Sequence, residues 1–140
     1  MTSTSAAANE SALASVQKVY DAFARRDIAS VLSAFSPDIE IVQSKELPWG
    51  GEYVGHDGAR DFFRRLTQHL NSTVAIERLI SAGNHVVAVG RTSGAANGTG
   101  SPYNVPIVHV WTVSCGLVAR AEFYIDHPAM LPALQDGNHE

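Results

Sequence analysis

Residues 103–125, YNVPIVHVWTVSCGLVARAEFYI, decide the fold of this chain. Residues 103–114 and 117–125 are rich in β-branched and aromatic side chains, and between them stand Cys115 and Gly116, a pair typical of a tight turn. The stretch therefore predicts a β-hairpin. Its first strand is apolar at odd and at even positions, so both faces of the sheet need a covering partner.

Further strands and three helices are predicted upstream of this hairpin. Strand patterns lie at residues 39–42, 73–81 and 85–93, and a Gly-rich loop at residues 94–102 leads into the hairpin. Apolar residues recur at helical spacing in three other segments. These are Leu13, Val16, Tyr20 and Phe23; then, after a candidate N-cap at Asp27, Ile28, Val31, Leu32 and Phe35; and Ala59, Phe62, Phe63, Leu66 and Leu70. Helices at the start and strands at the end indicate an α+β fold rather than a parallel doubly wound sheet.

The composition is that of one ordinary globular domain. The chain has 140 residues, of which 45% are hydrophobic and 17% are charged, enough for a core without disulfides or metals. We expect a single domain over residues 10–135, with flexible tails at residues 1–9 and 136–140. The net charge of −4 includes no basic stripe, so nucleic acid is not an expected partner.

Cysteine usage and hydropathy indicate a reducing, aqueous compartment. Cys115 is the only cysteine, which excludes an internal disulfide and a cysteine-based zinc site. The N-terminus lacks the charged start and apolar run of a secretory signal, and no stretch of roughly 18 apolar residues could span a membrane. The histidines lie on separate predicted elements without metal-ligand spacing. We expect a cytoplasmic protein with no membrane partner, no metal and no cofactor.

Four segments resemble the SnoaL-like proteins. VYDAFARRDIASVLSAFSPDIEI, residues 19–41, and LPWGGEYVGHDGARDFF, residues 47–63, are similar to the opening of that family. PIVHVWTV, residues 106–113, and YIDHPAML, residues 124–131, resemble its last strands and terminal turn. The family belongs to the nuclear-transport-factor-2-like superfamily, together with ketosteroid isomerases and limonene epoxide hydrolases. The resemblance extends over residues 12–134.

The resemblance implies a particular α+β architecture. It is a curved, mostly antiparallel sheet that three N-terminal helices wrap into a cone with an internal pocket, the cystatin-like fold. It also implies a homodimer across the back of the sheet. The strand pattern agrees, because Val108 and Val110 are apolar and no other predicted element is left to cover them. We therefore expect a hydrophobic small-molecule ligand and a second copy of the chain as partners.

The ketosteroid isomerases supply one set of candidate roles. They use an Asp as general base, and a Tyr with a protonated Asp as the oxyanion hole. Carried over by position, the resemblance puts Gln43 at the base, Val19 beside Tyr20 at the tyrosine, and His109 at the second acid. Because a glutamine amide takes up no proton at neutral pH, the isomerase mechanism is not expected.

The polyketide cyclases of this superfamily suit His109 better. They pair a histidine on this strand with an acidic residue on the next. The acid's position corresponds to Phe123, which carries no titratable proton, and the neighbouring Glu122 should point to the opposite face of the sheet. The paired Asp residues and the Arg of the epoxide hydrolases have no match. His109 therefore is a candidate for acid–base chemistry or oxyanion donation.

Two charged residues have alternative interpretations. Asp126 is either a catalytic acid at the pocket rim or the N-cap of a helix that contains the apolar residues 129–134. Arg91, which we place on the inner face of its strand, either binds a carboxylate or carbonyl oxygen beside His109 or reaches solvent. The expected ligand-binding residues are Tyr20, Trp49, Tyr53, Phe63, Arg91, Trp111 and Phe123. Trp49 and Tyr53 lie beside a Gly-rich turn at the expected pocket mouth, and shielding of the core is their alternative role.

Three functions fit these residues. The first is a cofactor-free, SnoaL-like isomerase, cyclase or hydratase/hydrolase that acts on a hydrophobic carbonyl compound. The second is a non-catalytic binding protein for a hydrophobic small molecule, and the third is a dimeric interaction domain. An acid within reach of His109 would favour the enzyme, and a well-formed cavity without one would favour binding. A cavity filled by Tyr20, Trp111 and Phe123 would favour the interaction domain.

Overall fold

The structure, a computed structural model, describes the backbone of residues 2–135 and the side chains from Ser11 onward. Over that range the chain forms four α-helices and six β-strands. They are α1 (Thr2–Ala24), α2 (Ile28–Ser33), β1 (Phe35–Gln43), β2 (Gly51–Val54), α3 (Gly55–His69), β3 (Leu70–Ala82), β4 (His85–Ala96), β5 (Pro102–Ser114), β6 (Leu117–Ile125) and α4 (His127–Gln135). The predicted α+β class and the predicted terminal hairpin are confirmed.

Some boundaries differ from the prediction. α1 begins at Thr2, so the helix includes residues 2–9, where we predicted a tail, and residues 6–8 are alanine, the strongest helix former. Phe35, which we expected at the end of the second helix, begins β1 instead. The tail predicted at residues 136–140 lies outside the described residues.

The strands of this range form one sheet in the order β2-β1-β6-β5-β4-β3. β1 runs parallel to β6, and every other pair of neighbours is antiparallel. The edge strand β2 was predicted only as a Gly-rich turn. α1 and α3 pack on the inner face of the sheet, and the buried apolar core lies between them and the strands. Among the helices of residues 2–135, none is long and apolar enough to cross a membrane.

The turn between α1 and α2 has a defined geometry. The N–H of Asp27 donates to the carbonyl of Ala22, and the N–H of Arg26 donates to the carbonyl of Phe23, each over 2.9 Å. These two bonds form a Schellman motif, in which the residue at the position of Arg26 is usually glycine. Arg26 has a φ of 59°, in the left-handed region. Asp27 then caps α2, as predicted, by accepting a hydrogen bond from the N–H of Ser30 over 3.1 Å.

Alternate residues of each strand face the helices. In β5 the odd positions are inward, as expected. In β4 the even positions are buried, namely Val86, Ala88, Gly90 and Thr92. Gly90 pairs with Ile76 beside a bulge in β3, where a β-carbon on residue 90 would collide with the backbone oxygen of Ala75. The glycine is therefore required by close approach of two backbones.

Candidate functional site

A cavity of about 90 Å³ lies between the helices and the inner face of the sheet. We call it the inner cavity. Most of its wall is apolar or aromatic, formed by Val19, Phe23, Trp49, Phe62, Phe63, Leu66, Leu70, Val74, Ile107, Trp111, Phe123 and Ile125. Its polar groups come from Tyr20, Gln43, Ser72, Thr92 and His109. A largely apolar wall with a few convergent polar groups is the usual form of a small-molecule site.

A hydrogen-bonded chain connects three aromatic side chains of this wall. The indole N–H of Trp111 donates to the Tyr20 hydroxyl over 2.9 Å, and that hydroxyl lies 2.6 Å from Nδ1 of His109. The Tyr20 and His109 rings are stacked, with their centroids 5.8 Å apart. The arrangement that satisfies every group has the tyrosine O–H donating to Nδ1. By this assignment His109 carries its proton on Nε2, which has no hydrogen-bond partner in the described part of the chain.

Burial keeps His109 neutral. Desolvation lowers the pKa of its imidazole to about 3, and the surface that His109 still exposes contributes to the wall of the small inner cavity. Burial also raises the pKa of the Tyr20 hydroxyl well above its usual range, which the hydrogen bond from Trp111 opposes in part. Both groups are uncharged at neutral pH. His109 can therefore donate a hydrogen bond through Nε2–H, but it is a weak base.

Gln43 lies in the same row of the sheet as His109. Phe123 on β6 pairs with His109 on β5 and with Gln43 on β1, so its ring lies between the other two side chains on the inner face. Since neighbouring strands are about 4.8 Å apart, the backbones of Gln43 and His109 are about 10 Å apart. Gln43 is 8% exposed, and its Oε1 accepts the indole N–H of Trp49 over 2.9 Å. No described residue accepts a hydrogen bond from its amide nitrogen, which is a second free donor.

Two buried hydroxyls line the inner cavity on β3 and β4. Ser72 is hydrogen-bonded to the hydroxyl of Tyr103. Thr92 is 6% exposed, and its hydroxyl has no hydrogen bond to any residue that the structure describes. Sequence reasoning missed Thr92 because the larger side chains of β4, Val87 and Val89, are on the opposite face. The outward face of β4 carries the charged Arg91, and that charge was the signal that the opposite face, with Thr92, points inward.

The structure brings many of the predicted site residues together. Those in the wall of the inner cavity are Tyr20, Trp49, Phe63, His109, Trp111 and Phe123. Trp49 is 1% exposed, so it is part of the wall and not a lid. The ring centroids of His109 and Phe123 are 4.7 Å apart, the shortest spacing of the aromatic contacts described for His109.

The prediction for Arg91 is wrong. Because the inward positions of β4 are even, Arg91 lies on the back of the sheet with Val87 and Val89. Its Nε donates to Oδ1 of Asn104 over 2.6 Å, and its Nη2 donates to the backbone oxygen of Asn104 over 2.8 Å. Arg91 therefore cannot assist His109.

Tyr53 and Asp126 also lie outside the inner cavity. Tyr53 is buried, donates to the carbonyl of Trp49 over 2.8 Å and accepts a hydrogen bond from Arg65, so it shields the core. Asp126 is exposed, and its carboxylate accepts the N–H of Ala129 over 3.2 Å. It caps α4, which is one of the two roles predicted for it, and it does not line the inner cavity as the alternative role of a catalytic acid requires.

The wall of the inner cavity contains no Asp or Glu among the described residues. Glu122 points to the back of the sheet, as predicted, where it accepts a hydrogen bond from Arg120 over 2.8 Å. Within residues 2–135 no three His, Cys, Asp or Glu side chains come together as metal ligands.

A curved sheet wrapped by helices around an apolar pocket defines the nuclear-transport-factor-2-like class of proteins, and solved structures of that class agree. One from Burkholderia thailandensis E264 is 31% identical, with 89% of this chain and 97% of that chain covered and a TM-score of 0.82. One of unknown function from Burkholderia pseudomallei K96243 is 27% identical, with 89% and 97% covered and a TM-score of 0.83. TerC, co-crystallised with polyporic acid, is 26% identical, with 89% and 98% covered and a TM-score of 0.83.

The family follows from the sequence match. Residues 16–121 match the SnoaL-like domain. The chain therefore belongs to the SnoaL-like family, as the resemblance of its segments predicted. No curated protein matches the chain.

Proposed function

We propose that this SnoaL-like protein binds a compact, hydrophobic carbonyl compound in the inner cavity. The observation that carries the proposal is the row formed by Gln43, Phe123 and His109, in which a free N–H donor stands on each side of an aromatic ring. The carbonyl oxygen would accept from Nε2–H of His109 or from the Gln43 amide, while the apolar body packs on Phe123. The absence of acidic side chains from the described wall supports binding over acid–base catalysis.

The polar groups make the site selective for an acceptor. A buried donor that stays unpaired when a ligand fills the cavity loses its solvation without a replacement, which disfavours a purely apolar ligand by about 1–3 kcal/mol. The volume of about 90 Å³ is below the roughly 150 Å³ of an apolar cavity known to bind benzene. The inner cavity as it stands therefore suits a short branched chain, and a single ring enters only when the partly buried side chains of Phe23 and Leu66 move aside.

A second candidate function is a cofactor-free isomerase or cyclase. The neutral state of His109 favours it, because an Nε2–H donor in a dry cavity would stabilise the oxygen of an enolate without carrying a charge. Among the described residues no carboxylate is placed to take the carbon-bound proton. Water or a basic atom of the compound itself would accept it. The rate enhancement would then be modest, because neither acceptor is a positioned base.

We also propose a homodimer through the back of the sheet. Val108 and Tyr124 are paired there and are 36% and 55% exposed, while Val110 is half-buried in the next row. The ion pair between Arg120 and Glu122 lies beside these residues, and a two-fold axis that passes between the two side chains would bring Arg120 of each copy to Glu122 of the other. A cytoplasmic location stays a prediction.

A matched pair of probes tests the main proposal. Acetophenone and cumene have similar shapes, but only acetophenone has a carbonyl oxygen. We expect the wild-type protein to bind acetophenone about tenfold more tightly in calorimetry, since one hydrogen bond is worth roughly 1 kcal/mol or more. His109→Phe and Gln43→Leu should each reduce that preference. Equal affinity for the two probes, or no binding of either, would contradict the proposal.

The same compound separates binding from catalysis. In deuterated water the methyl protons of acetophenone exchange through its enolate, and nuclear magnetic resonance measures the rate. Acceleration by the wild-type protein that His109→Phe abolishes would establish the enzymatic function. Binding without acceleration would assign the protein as a carrier.

A further inference from the structure

A second cavity, of about 320 Å³, adjoins the inner cavity. We call it the outer cavity. Both walls include Phe23, Leu66, Leu70 and Ser72. Leu70 and Ser72 are buried, whereas Phe23 and Leu66 are only partly buried. Side chains with exposed faces change rotamer readily, so Phe23 and Leu66 form the part of the boundary that a ligand could displace.

Arg26 supplies the outer cavity with a positive charge. Its guanidinium donates hydrogen bonds to the backbone oxygens of Ser72 and Phe23 and lies 4.9 Å from the centroid of the Phe23 ring. It forms no ion pair with any described carboxylate, and no described side chain in the wall of the outer cavity is acidic. The charge of Arg26 is therefore not compensated by the protein.

The field of Arg26 reaches the residues at the boundary. Burial raises the pKa of Tyr103, and the positive charge of Arg26 opposes that rise. Tyr103 is hydrogen-bonded to Ser72, which both cavities share. An anionic group at this boundary would meet a positive potential.

The backbone at Arg26 gives no reason for an arginine. Its φ of 59° and its place in the Schellman motif suit glycine, and a side chain in that conformation is strained. The strained residue is the one whose guanidinium lines the outer cavity. Observed strain of this kind is a reason to look for a function of the side chain.

We propose that the ligand is a keto acid whose apolar, carbonyl-bearing end occupies the inner cavity and whose carboxylate binds Arg26 in the outer cavity. The inference rests on the proposed function and adds the second end of the ligand. The planar guanidinium has N–H donors beyond those used by the backbone, and its fork matches a carboxylate. The amide of Asn71, also in this wall, has no hydrogen bond to any described residue and would add a donor.

Two probes of nearly the same shape, one anionic and one neutral, test the inference. They are 4-oxo-4-phenylbutanoate and 4-oxo-4-phenylbutanamide, compared by calorimetry at low salt. We expect the wild-type protein to bind the carboxylate about tenfold more tightly, a preference that falls as salt is added. Arg26→Gln and Arg26→Gly should abolish the preference, because each weakens binding of the carboxylate more than binding of the amide. Arg26→Gly suits the backbone conformation, so it separates loss of the guanidinium from loss of the fold.

Arg25→Gln is the matched control. Arg25 is adjacent and exposed, it lies 3.9 Å from the carboxylate of Asp27, and it lines a different surface pocket. The substitution removes the same net charge, and the preference for the carboxylate should persist. A preference that disappears equally in Arg25→Gln and Arg26→Gln would overturn the inference in favour of a general charge effect.

The remaining outcomes separate the inference from the proposed function. Equal affinity of the wild-type protein for the two probes overturns the inference, while binding of the amide that depends on His109 upholds the proposed function. A preference that requires Arg26, together with an affinity for the amide that does not change in His109→Phe, supports the anion site and contradicts the carbonyl contact. If neither probe binds although acetophenone does, the inference is overturned and the proposed function stands; if acetophenone does not bind either, both are overturned.

Discussion

A buried neutral histidine makes the stability of this protein depend on pH. The pKa of His109 falls from 6.5 to about 3 on burial. Between these values the unfolded chain binds a proton that the folded protein excludes. The contribution of His109 to stability is therefore fully present above about pH 6.5 and is lost progressively as the pH falls toward 3. At pH 5 the loss would be about 2 kcal/mol.

The variant His109→Phe isolates this contribution. Urea unfolding at pH 7.5 and pH 5.0 gives the change in free energy of unfolding for each protein. The wild-type protein should lose about 2 kcal/mol more than the variant between the two pH values, because every other titratable group is common to both. Equal losses would show that His109 is protonated in the folded protein.

At the scale of elements, Gly90 joins β4 to the bulge of β3. A methyl group at this position meets the backbone oxygen of Ala75, which cannot move without disturbing the sheet. Gly90→Ala should therefore reduce the free energy of unfolding by about 1–3 kcal/mol. Gly98→Ala is the control, since the added methyl has no neighbour within 4 Å. Comparable unfolding curves for the two variants would refute the close approach at Gly90.

The strands of the terminal hairpin could be predicted, but the orientation of β4 could not. In β5 a Trp and several β-branched residues occupy the inward positions, so the pattern shows the correct face. In β4 the inward set consists of small residues, Ala88, Gly90 and Thr92 after Val86, while the larger Val87 and Val89 face outward. Hydrophobicity favoured the wrong face, because the larger apolar residues of β4 lie on the back of the sheet, which is also apolar. Arg91 was misplaced for that reason.

The residues around His109 could be predicted from the family resemblance, but their hydrogen bonds could not, because these join distant segments of the chain. The resemblance placed Tyr20 and Phe123 near His109, and the structure shows all three in one wall. The bond from Tyr20 to His109 joins residues 89 positions apart, which no local pattern encodes. Gln43 was recognised as a replaced base, but its role as a donor follows only from its bond with Trp49.

At the scale of the whole molecule, the apolar back of the sheet determines the expected assembly. Val108→Glu would put a charge at the centre of the proposed interface, and burying it would cost more than the interface gains. We expect a dimer for the wild-type protein in light scattering at micromolar concentration and a monomer for the variant. Val54→Glu is the control, because Val54 is 65% exposed on the edge strand β2, three strands away from Val108 on β5. A wild-type monomer would contradict the dimer.

The parallel pairing of β1 with β6 means that neither half of the polypeptide holds a ligand on its own. Gln43 lies on β1, the first strand of the chain, and His109 lies on β5. Phe123, which lies between them, is on β6, the last strand. Contacts so remote in sequence form late and together during folding. A ligand would consequently bind only after the sheet has formed, and its binding would stabilise the chain as one cooperative unit.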